Sequence, residues 1–251
     1  MIPYLRKEKI LELLQGQEVL TIEELKKAIE GISNSTLRRD LKMLEEEGKI
    51  LLLGGGAVKL RSISSELPVS TKKTIHKKSK DLIARTAAEL IHDGDIIYLD
   101  SGTTCSALME VISRRKITIV TSNTAILQAP ETFECHIIFL GGELNSSLSS
   151  VNGSLTSENI SLFNFDKAFL GANGVDVEKG ITTPTLMEAM KKKKAAEQAK
   201  EVYVLCDSSK FGKYSMTKAL NINQCTIISE ASDELLKAAT NLVIPKDLGI
   251  E

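Results

Sequence analysis

The sequence predicts an α/β protein with two parts: a small N-terminal winged helix-turn-helix domain joined to a larger α/β domain with a largely parallel sheet. Within residues 1–60, helical segments are followed by two short apolar strands around a glycine run. From residue 81, apolar strands alternate with helical segments, which is typical of a mainly parallel sheet covered on both faces. Serine and then lysine dominate residues 61–80, which we interpret as a linker between domains 1–60 and 81–251.

Composition and charge indicate a globular protein with a basic N-terminal part. The 251 residues are 42% hydrophobic and 26% charged. Residues 1–80 hold 16 Lys and Arg against 11 Asp and Glu, whereas residues 81–251 hold 16 against 22. A basic head on an acidic body favours a polyanionic partner for the head. With no membrane-spanning apolar run and no signal segment, we expect a cytoplasmic protein without a membrane partner.

The cysteines and histidines give no sign of a metal or catalytic centre. The four cysteines are scattered and form no C-x-x-C pair, so we expect reduced core cysteines. The three histidines lie outside the polar motifs described below, and we expect surface or packing roles for them. We therefore predict no metal site and no catalytic residue.

The head begins with two short helices. Residues 6–14 carry apolar residues on a helical face, and Gly16 ends that helix. Thr21 and Glu24 form a capping-box pattern that starts a second helix, which Gly31 ends. A third helix follows after a very short turn and runs to Gly48, so the second and third helices form a helix-turn-helix.

The third helix has the character of a DNA-contacting helix. Its leucines recur at helical spacing and predict one buried stripe: Leu37, Leu41 and Leu44. Off that stripe lie short hydroxyls and basic groups, which bond to phosphates and to the acceptor-rich edge of guanine. The candidate DNA-binding residues are Ser33, Ser35, Thr36, Arg38, Arg39 and Lys42. The alternative is a surface helix whose arginines pair with Asp40 or Glu45.

Two apolar strands complete the head. Residues 49–53 and 57–60 flank Gly54-Gly55-Gly56, which is the pattern of a hairpin wing.

The body contains five apolar strands and two weaker candidates. They are predicted at residues 95–100, 117–120, 137–140, 167–170 and 202–205, with 226–228 and 242–244 as the weaker pair. Each of the five ends in a turn rich in Ser, Thr, Gly, Asn or Asp. Because ligands bind outside the carboxyl ends of the strands in open α/β sheets, we expect these turns to meet at one binding edge.

The first strand end is the most informative. Ser101-Gly102-Thr103-Thr104 lies between a strand and a helix start, where backbone N–H groups, hydroxyls and the helix dipole bind phosphate. Asp100 is placed to bond a sugar hydroxyl, and Lys210 and one lysine of the run 191–194 supply positive charge. The candidate ligand-binding residues are Asp100, Ser101, Gly102, Thr103, Thr104, Thr121, Ser122, Asn123, Gly141, Gly142, Asn173, Gly174, Glu188, Lys192, Asp207 and Lys210.

Residues 5–60 resemble the DNA-binding head of the DeoR family of bacterial repressors. The matching residues are Arg6, the segment 21–25, Thr36-Leu37-Arg38-Arg39-Asp40-Leu41, Leu44, Gly48 and Gly55-Gly56-Ala57. The resemblance implies that Thr36, Arg38 and Arg39 contact DNA, while Asp40 orients an arginine or caps locally. The family usually has a basic residue and a histidine where this chain has Leu53 and Gly54, so we expect the wing to bind DNA less strongly or to read it differently.

Residues 75–230 resemble the sensor domain of the same family, which is similar in fold to ribose-5-phosphate isomerase. The matched segments are Asp100-Ser101-Gly102-Thr103-Thr104, Gly141-Gly142, Gly153, 169–176, Thr182-Thr183-Pro184, Glu188-Ala189 and 207–212. The family's single lysine falls on Lys192, a register fixed only to within one residue because the neighbours are also lysines. The resemblance implies an intracellular sugar phosphate as effector and no other cofactor.

Two functions fit these observations. The first is a transcriptional repressor of a sugar-catabolism operon, a homodimer or homotetramer on double-stranded operator DNA that a sugar phosphate releases. The second is a sugar-phosphate isomerase-like enzyme with an accessory DNA-binding head, in which Asp100, Glu188 and Lys192 would serve acid–base chemistry. We favour the repressor, because a winged helix has no role in a simple isomerase.

Overall fold

The structure is a computed structural model that describes residues 2–15, 19–29, 31–60, 69–128 and 133–245. The chain divides into two compact units, residues 1–65 and 66–251. We call them the head and the body. No helix in the described ranges is long and apolar enough to cross a membrane.

The head contains three helices and a three-stranded antiparallel sheet. The helices are α1 (Pro3–Gln15), α2 (Ile22–Ala28) and α3 (Asn34–Glu46). The strands are β1 (Leu20–Thr21), β2 (Ile50–Leu53) and β3 (Ala57–Leu60), in the order β1-β3-β2. The predicted helices and wing are confirmed, and β1, which the sequence analysis did not predict, pairs with β3 through Leu20 and Val58.

The head has its own apolar core. The three leucines of the predicted stripe on α3 are fully buried, and they pack with residues of all three helices and of β2 and β3. Arg6 and Asp40 form a buried ion pair in which Arg6 Nε donates to Oδ2 and a terminal guanidinium nitrogen lies 3.1 Å from Oδ1. This pair joins α1 to α3, so Asp40 orients an arginine, as expected, and that arginine is Arg6.

The body is built on a seven-stranded parallel sheet. Its strands are β4 (Ile96–Leu99), β5 (Thr118–Thr121), β6 (His136–Phe139), β9 (Phe165–Gly171), β12 (Ala199–Leu205), β14 (Thr226–Ile228) and β15 (Leu242–Val243). Their order is β15-β14-β12-β9-β4-β5-β6, and every described pairing among them is parallel. All seven predicted strands are therefore confirmed, including the two weaker candidates.

Neighbouring residues on each central strand point into two different cores. Tyr98 and Ala168 belong to one apolar cluster, whereas Leu99 and Phe169 belong to the other. Helices cover both faces: α4 (Val69–Thr74), α5 (Lys77–Ala88), α6 (Thr103–Ile112), α7 (Ser154–Ile160), α8 (Leu186–Glu197) and α9 (Glu234–Ala239). The four cysteines are free and buried, in agreement with the expected core roles.

Five further short strands were not predicted. β7 (Glu143–Asn145) and β8 (Ser150–Asn152) form an antiparallel hairpin. β10 (Gly174–Asp176), β11 (Gly180–Thr183) and β13 (Thr217–Leu220) form an antiparallel sheet. Of the predicted linker, residues 61–68 lie outside the described ranges, and helix occupies 69–74 and 77–80.

Candidate functional site

The predicted DNA-contacting helix starts where the sequence indicates. Ser33 is the N-cap of α3, and its Oγ accepts a hydrogen bond from the backbone N–H of Thr36 at 3.1 Å. The Ser33 hydroxyl also lies 2.9 Å from the hydroxyls of Ser35 and Thr36. The hydroxyls at the start of α3 therefore form one hydrogen-bonded group, with Ser33 and Ser35 exposed.

The basic side chains of α3 are exposed. Arg38, Arg39 and Lys42 lie on the face opposite the buried leucines, and none of them forms an ion pair with another described residue. Asp40 is paired with Arg6, and the Glu45 carboxylate accepts from the backbone N–H of Leu52 at 3.0 Å. The alternative in which these acids neutralise the arginines is therefore wrong.

The polar turns of the body lie at one edge of the sheet. Because β4, β5, β6, β9 and β12 are parallel, their carboxyl ends fall on the same side. This strand-end edge holds Asp100-Ser101-Gly102 after β4, Ser122-Asn123 after β5, Gly141-Gly142 after β6, Ala172-Asn173 after β9 and Asp207 after β12.

The turn after β4 leads directly into a helix. Gly102 is the N-cap of α6 with a φ of 147°, a backbone conformation that favours glycine, and no side chain caps the helix start. Thr103 and Thr104 form the first turn of α6. Ser101, Gly102 and Thr103 are partly exposed. The turn thus presents the positive end of a helix dipole beside hydroxyl groups, an arrangement that binds anions.

Lys191 lies at the centre of the strand-end edge. Its side chain is 1% exposed, and Nζ donates to three serine hydroxyls, those of Ser101 (3.1 Å), Ser122 (3.0 Å) and Ser150 (2.8 Å). Nζ also lies 2.9 Å from Asn152 Oδ1 and 3.3 Å from the Val151 carbonyl. An ammonium has three protons, so these oxygens outnumber its donors.

Lys192 and Asp100 form a buried ion pair. Lys192 Nζ donates to Asp100 Oδ2, which also accepts from the Gly171 N–H at 3.1 Å. Burial alone would raise the pKa of the Asp100 carboxyl, but Lys192 and Lys191 hold that pKa below its usual value. Burial lowers the pKa of Lys192, and the carboxylates of Asp100 and Glu188 more than offset this, so its pKa is raised.

One oxygen of Asp100 has no hydrogen bond. Oδ1 is buried, accepts no hydrogen bond from the described residues, and lies 3.9 Å from Lys191 Nζ. A buried acceptor without a donor costs folding free energy. A ligand hydroxyl that donates to Oδ1 would therefore bind favourably.

Glu188 and Asn173 flank the lysines. Glu188 is 7% exposed, and its Oε2 accepts from Thr183 Oγ1 at 2.9 Å. Thr183 Oγ1 also lies 3.3 Å from Asn173 Oδ1, so Thr183 links the two predicted residues. Gly174 is buried at the start of β10, where an added Cβ would lie 2.4 Å from the Lys213 carbonyl oxygen. A structural role accounts for that glycine.

Thr121 and Asn123 are buried, and their side chains form hydrogen bonds with neighbouring elements of the strand-end edge. Thr121 Oγ1 donates to the Leu99 carbonyl at 2.6 Å and accepts from the Asn123 N–H at 3.1 Å. Asn123 Nδ2 donates to Ser106 Oγ at 2.9 Å, which fixes it against α6. Of the three predicted residues after β5, Ser122 is the one that contacts Lys191.

The Gly141-Gly142 turn allows close packing. An added Cβ at Gly142, whose φ is 147°, would lie 2.0 Å from Thr156 Oγ1 and 2.5 Å from the Asn152 carbonyl oxygen. Thr156 Oγ1 donates to the Gly141 carbonyl at 2.9 Å. Both glycines are exposed and border the hairpin that carries Asn152.

Asp207 and Lys210 form a second charged group on the same edge. Asp207 is 3% exposed, and its Oδ1 accepts from the N–H and hydroxyl of Ser209. Burial would raise the Asp207 pKa, but Lys210, Ser209, His76 and Lys80 together lower it. This group lies at the end of β12, separated from β4 by β9.

Sequence reasoning missed two residues of this edge, Ser150 and Asn152. Lys191 lies within the one-residue register given for Lys192, and Thr183 lies in a matched segment that was not among the candidate ligand-binding residues. Within the run 191–194, the position of the family's single lysine was known only to within one residue. In the structure, both Lys191 and Lys192 are buried. The polar run around Ser150 and Asn152 was a signal that the strand analysis did not use, because the hairpin itself was not predicted. Within the described residues, no group of His, Cys, Asp and Glu is arranged to hold a metal ion.

Comparison with protein families matches both parts of the chain. The profile of the DeoR-like helix-turn-helix domain matches residues 6–63. The profile of the DeoR C terminal sensor domain matches residues 75–231.

Curated relatives match over most of their length. The uncharacterized HTH-type transcriptional regulator FruR of Bacillus subtilis is 39% identical over 92% of each chain. The lactose phosphotransferase system repressor of Streptococcus mutans is 32% identical over 91% of this chain and 92% of that protein. The HTH-type transcriptional repressor GlcR of Bacillus subtilis is 33% identical over 87% and 84%.

Solved structures match at lower similarity. Ribose 5-phosphate isomerase A from Methanocaldococcus jannaschii is 18% identical over 54% of each chain, with a TM-score of 0.40. The eIF2B delta subunit from Chaetomium thermophilum is 13% identical over 92% of this chain and 72% of that chain, with a TM-score of 0.44.

Proposed function

Because this chain belongs to the DeoR family of transcriptional regulators, we propose that it represses a sugar-catabolism operon and that an intracellular sugar phosphate releases it from its operator. The relatives named above are regulators and repressors, so the chain is a regulator and not an isomerase with an accessory head. The S. mutans relative is named for a lactose phosphotransferase system, which supports a phosphorylated sugar as the class of effector. Such a regulator acts on chromosomal DNA in the cytoplasm.

One observation carries the effector proposal. A buried acceptor without a donor, Asp100 Oδ1, lies 3.9 Å from a buried ammonium, Lys191 Nζ, beside the start of α6. A sugar hydroxyl would donate to Asp100, and a phosphate would accept from the N–H groups and hydroxyls of the 101–104 turn. The surplus of oxygens around Lys191 means that its ammonium can exchange one partner for a phosphate oxygen at little cost.

The DNA side of the proposal uses the exposed basic residues of α3. Ser33, Ser35, Thr36, Arg38, Arg39 and Lys42 would contact phosphates and base edges in the major groove. A homodimer or homotetramer would place two such helices on the half-sites of a symmetric operator. The effector must bind the DNA-competent and released arrangements with different affinity.

A thermal-shift screen tests the effector. The panel is fructose 1-phosphate, fructose 6-phosphate and glucose 6-phosphate, each beside its free sugar. At a hundredfold excess over Kd, binding should raise Tm by about 5–10 °C for one phosphate and not for its free sugar. The same phosphate should release a duplex selected in vitro with the purified protein.

Two variants of α8 locate the binding site. Lys191→Met should lose the shift, whereas Lys193→Met, which removes an exposed lysine from the same helix, should retain it. An undiminished shift in Lys191→Met would exclude the strand-end edge as the effector site.

A further inference from the structure

Helix α4 is the first described element after the head. The head's last strand ends at Leu60, and α4 spans Val69–Thr74. A short turn through Ile75 and His76 then leads into α5. The covalent path from the head to the body therefore passes through α4.

A buried lysine holds the end of α4. Lys80, on the first turn of α5, is 6% exposed. Its Nζ donates to the Lys72 carbonyl and, at 2.6 Å, to the Ile75 carbonyl. Carbonyls at the end of a helix lack intrahelical donors and carry the negative end of the helix dipole. Lys80 therefore supplies the hydrogen bonds and the charge that this helix end requires.

Helix α4 also contacts two elements that lead to the strand-end edge. It packs against α6, which starts at the 101–104 turn, and against the turn Ser146–Leu148. That turn joins β7 to β8, the strand that supplies Ser150 and Asn152 to Lys191. Helix α4 thus rests on two of the elements that form the candidate effector site.

Lys80 also interacts with the charged group after β12. Burial lowers the pKa of Lys80 to about 8, the Asp207 carboxylate opposes this, and Lys210 and Lys72 add to it. The buried ammonium is therefore only partly compensated by its surroundings, and further negative charge nearby would stabilise it. His76, which joins α4 to α5 with a left-handed φ of 52°, also interacts with Asp207.

We propose that Lys80 is a positioning residue that couples an anion at the strand-end edge to the packing of α4, and through α4 to the head. The inference rests on the proposed function in taking the anion to be a phosphate. A phosphate dianion at this edge stabilises the buried ammonium and hence its bonds to α4. By linkage, the packed position of α4 strengthens phosphate binding to the same degree. Through the charge of Lys80, phosphate binds more tightly when α4 is packed than when it is not. A signal requires such a difference in affinity between two states.

Hydrogen exchange of the ligand-free full chain tests whether Lys80 stabilises the end of α4. Lys80→Met leaves two helix-end carbonyls without their donor, so amides of residues 69–76 should exchange about tenfold faster. Arg85→Met removes an exposed positive charge from the same helix and should leave those rates unchanged. Exchange within β9, at 165–171, should match wild type in both variants. Equal rates at 69–76 in the two variants would overturn the proposal.

Inorganic phosphate, against chloride at equal ionic strength, tests the coupling. Phosphate should slow exchange at 69–76 in wild type and in Arg85→Met, and have no effect there in Lys80→Met. Protection that persists in Lys80→Met, or is absent from wild type, would overturn the coupling. The sugar-phosphate screen separately decides the effector. Should Lys80→Met also loosen residues 165–171, Lys80→Gln, which keeps a donor without the charge, replaces it in the phosphate arm, where loss of the charge alone should abolish the protection.

Discussion

Helix α3 and the strand-end edge carry positive charge in opposite settings. On α3, Arg38 and Arg39 are exposed and form no ion pair within the described residues, so their charge is available to a polyanion. At the strand-end edge, Lys191 and Lys192 are buried against Asp100 and a set of polar oxygens. Removing an exposed arginine should therefore alter binding alone, whereas removing a buried lysine should alter the fold as well. The exposed arginines are expected to act in binding alone, whereas the buried lysines also stabilise the fold.

The largest expected effect follows from breaking the buried pair. Lys192→Met leaves the Asp100 carboxylate buried without its main partner, and should cost about 3–5 kcal/mol of unfolding free energy. Urea denaturation followed by circular dichroism measures it. Lys193→Met, an exposed neighbour on α8, should stay within about 0.5 kcal/mol of wild type. Equal stability of the two variants would mean that the buried pair is no more costly to break than an exposed lysine is to remove.

The next effect concerns binding without a change in stability. Arg38→Ala should weaken binding to the selected duplex by about 1–3 kcal/mol, roughly 5- to 150-fold, while its Tm stays that of wild type. Fluorescence anisotropy measures the affinity. The matched control is Arg114→Ala, an exposed arginine of the body, which should bind normally. Wild-type affinity in Arg38→Ala would contradict the role assigned to α3.

Acid should destabilise the body through the Asp100 carboxylate. The pKa of Asp100 is lower in the folded protein than its ordinary value of 3.8, because Lys192 and Lys191 outweigh the effect of burial. Its contribution is therefore complete above about pH 5 and is lost as pH falls through the lower, folded pKa. Tm measured from pH 7 to pH 3 should fall less steeply in Asp100→Asn than in wild type. The same slope in both proteins would exclude Asp100 as a source of the acid sensitivity.

The smallest effect is on salt dependence. Each phosphate contact releases counterions, so the slope of log K against log salt should become shallower by about 1 in Arg38→Ala. Arg114→Ala should keep the wild-type slope. A reduced affinity with an unchanged slope would mean that Arg38 contacts a base edge rather than a phosphate.

Features set by local sequence were predictable, and features set by contacts between distant segments were less so. The Ser33 cap, the leucine stripe of α3 and the apolar strands each depend on residues a few positions apart. The strands β7 and β10 each contain a single apolar residue, Leu144 and Val175, so no apolar run marks them in the sequence. The sequence did not distinguish Lys191 from Lys192, because α8 contacts elements on several sides and both lysines are buried. A run of four lysines does not indicate which members face inward.

The order of strands in the body sheet has a consequence for synthesis on the ribosome. In the head, β2 pairs with β3 across a three-residue glycine turn, so the head's hairpin needs no residue beyond Leu60. In the body, β4 pairs with β9, and Ile97 lies opposite Lys167, seventy positions later in the chain. Domains near the N-terminus generally fold first as the chain emerges. A message truncated before residue 165 would therefore yield a complete head on a body whose strand β4 lacks its partner β9.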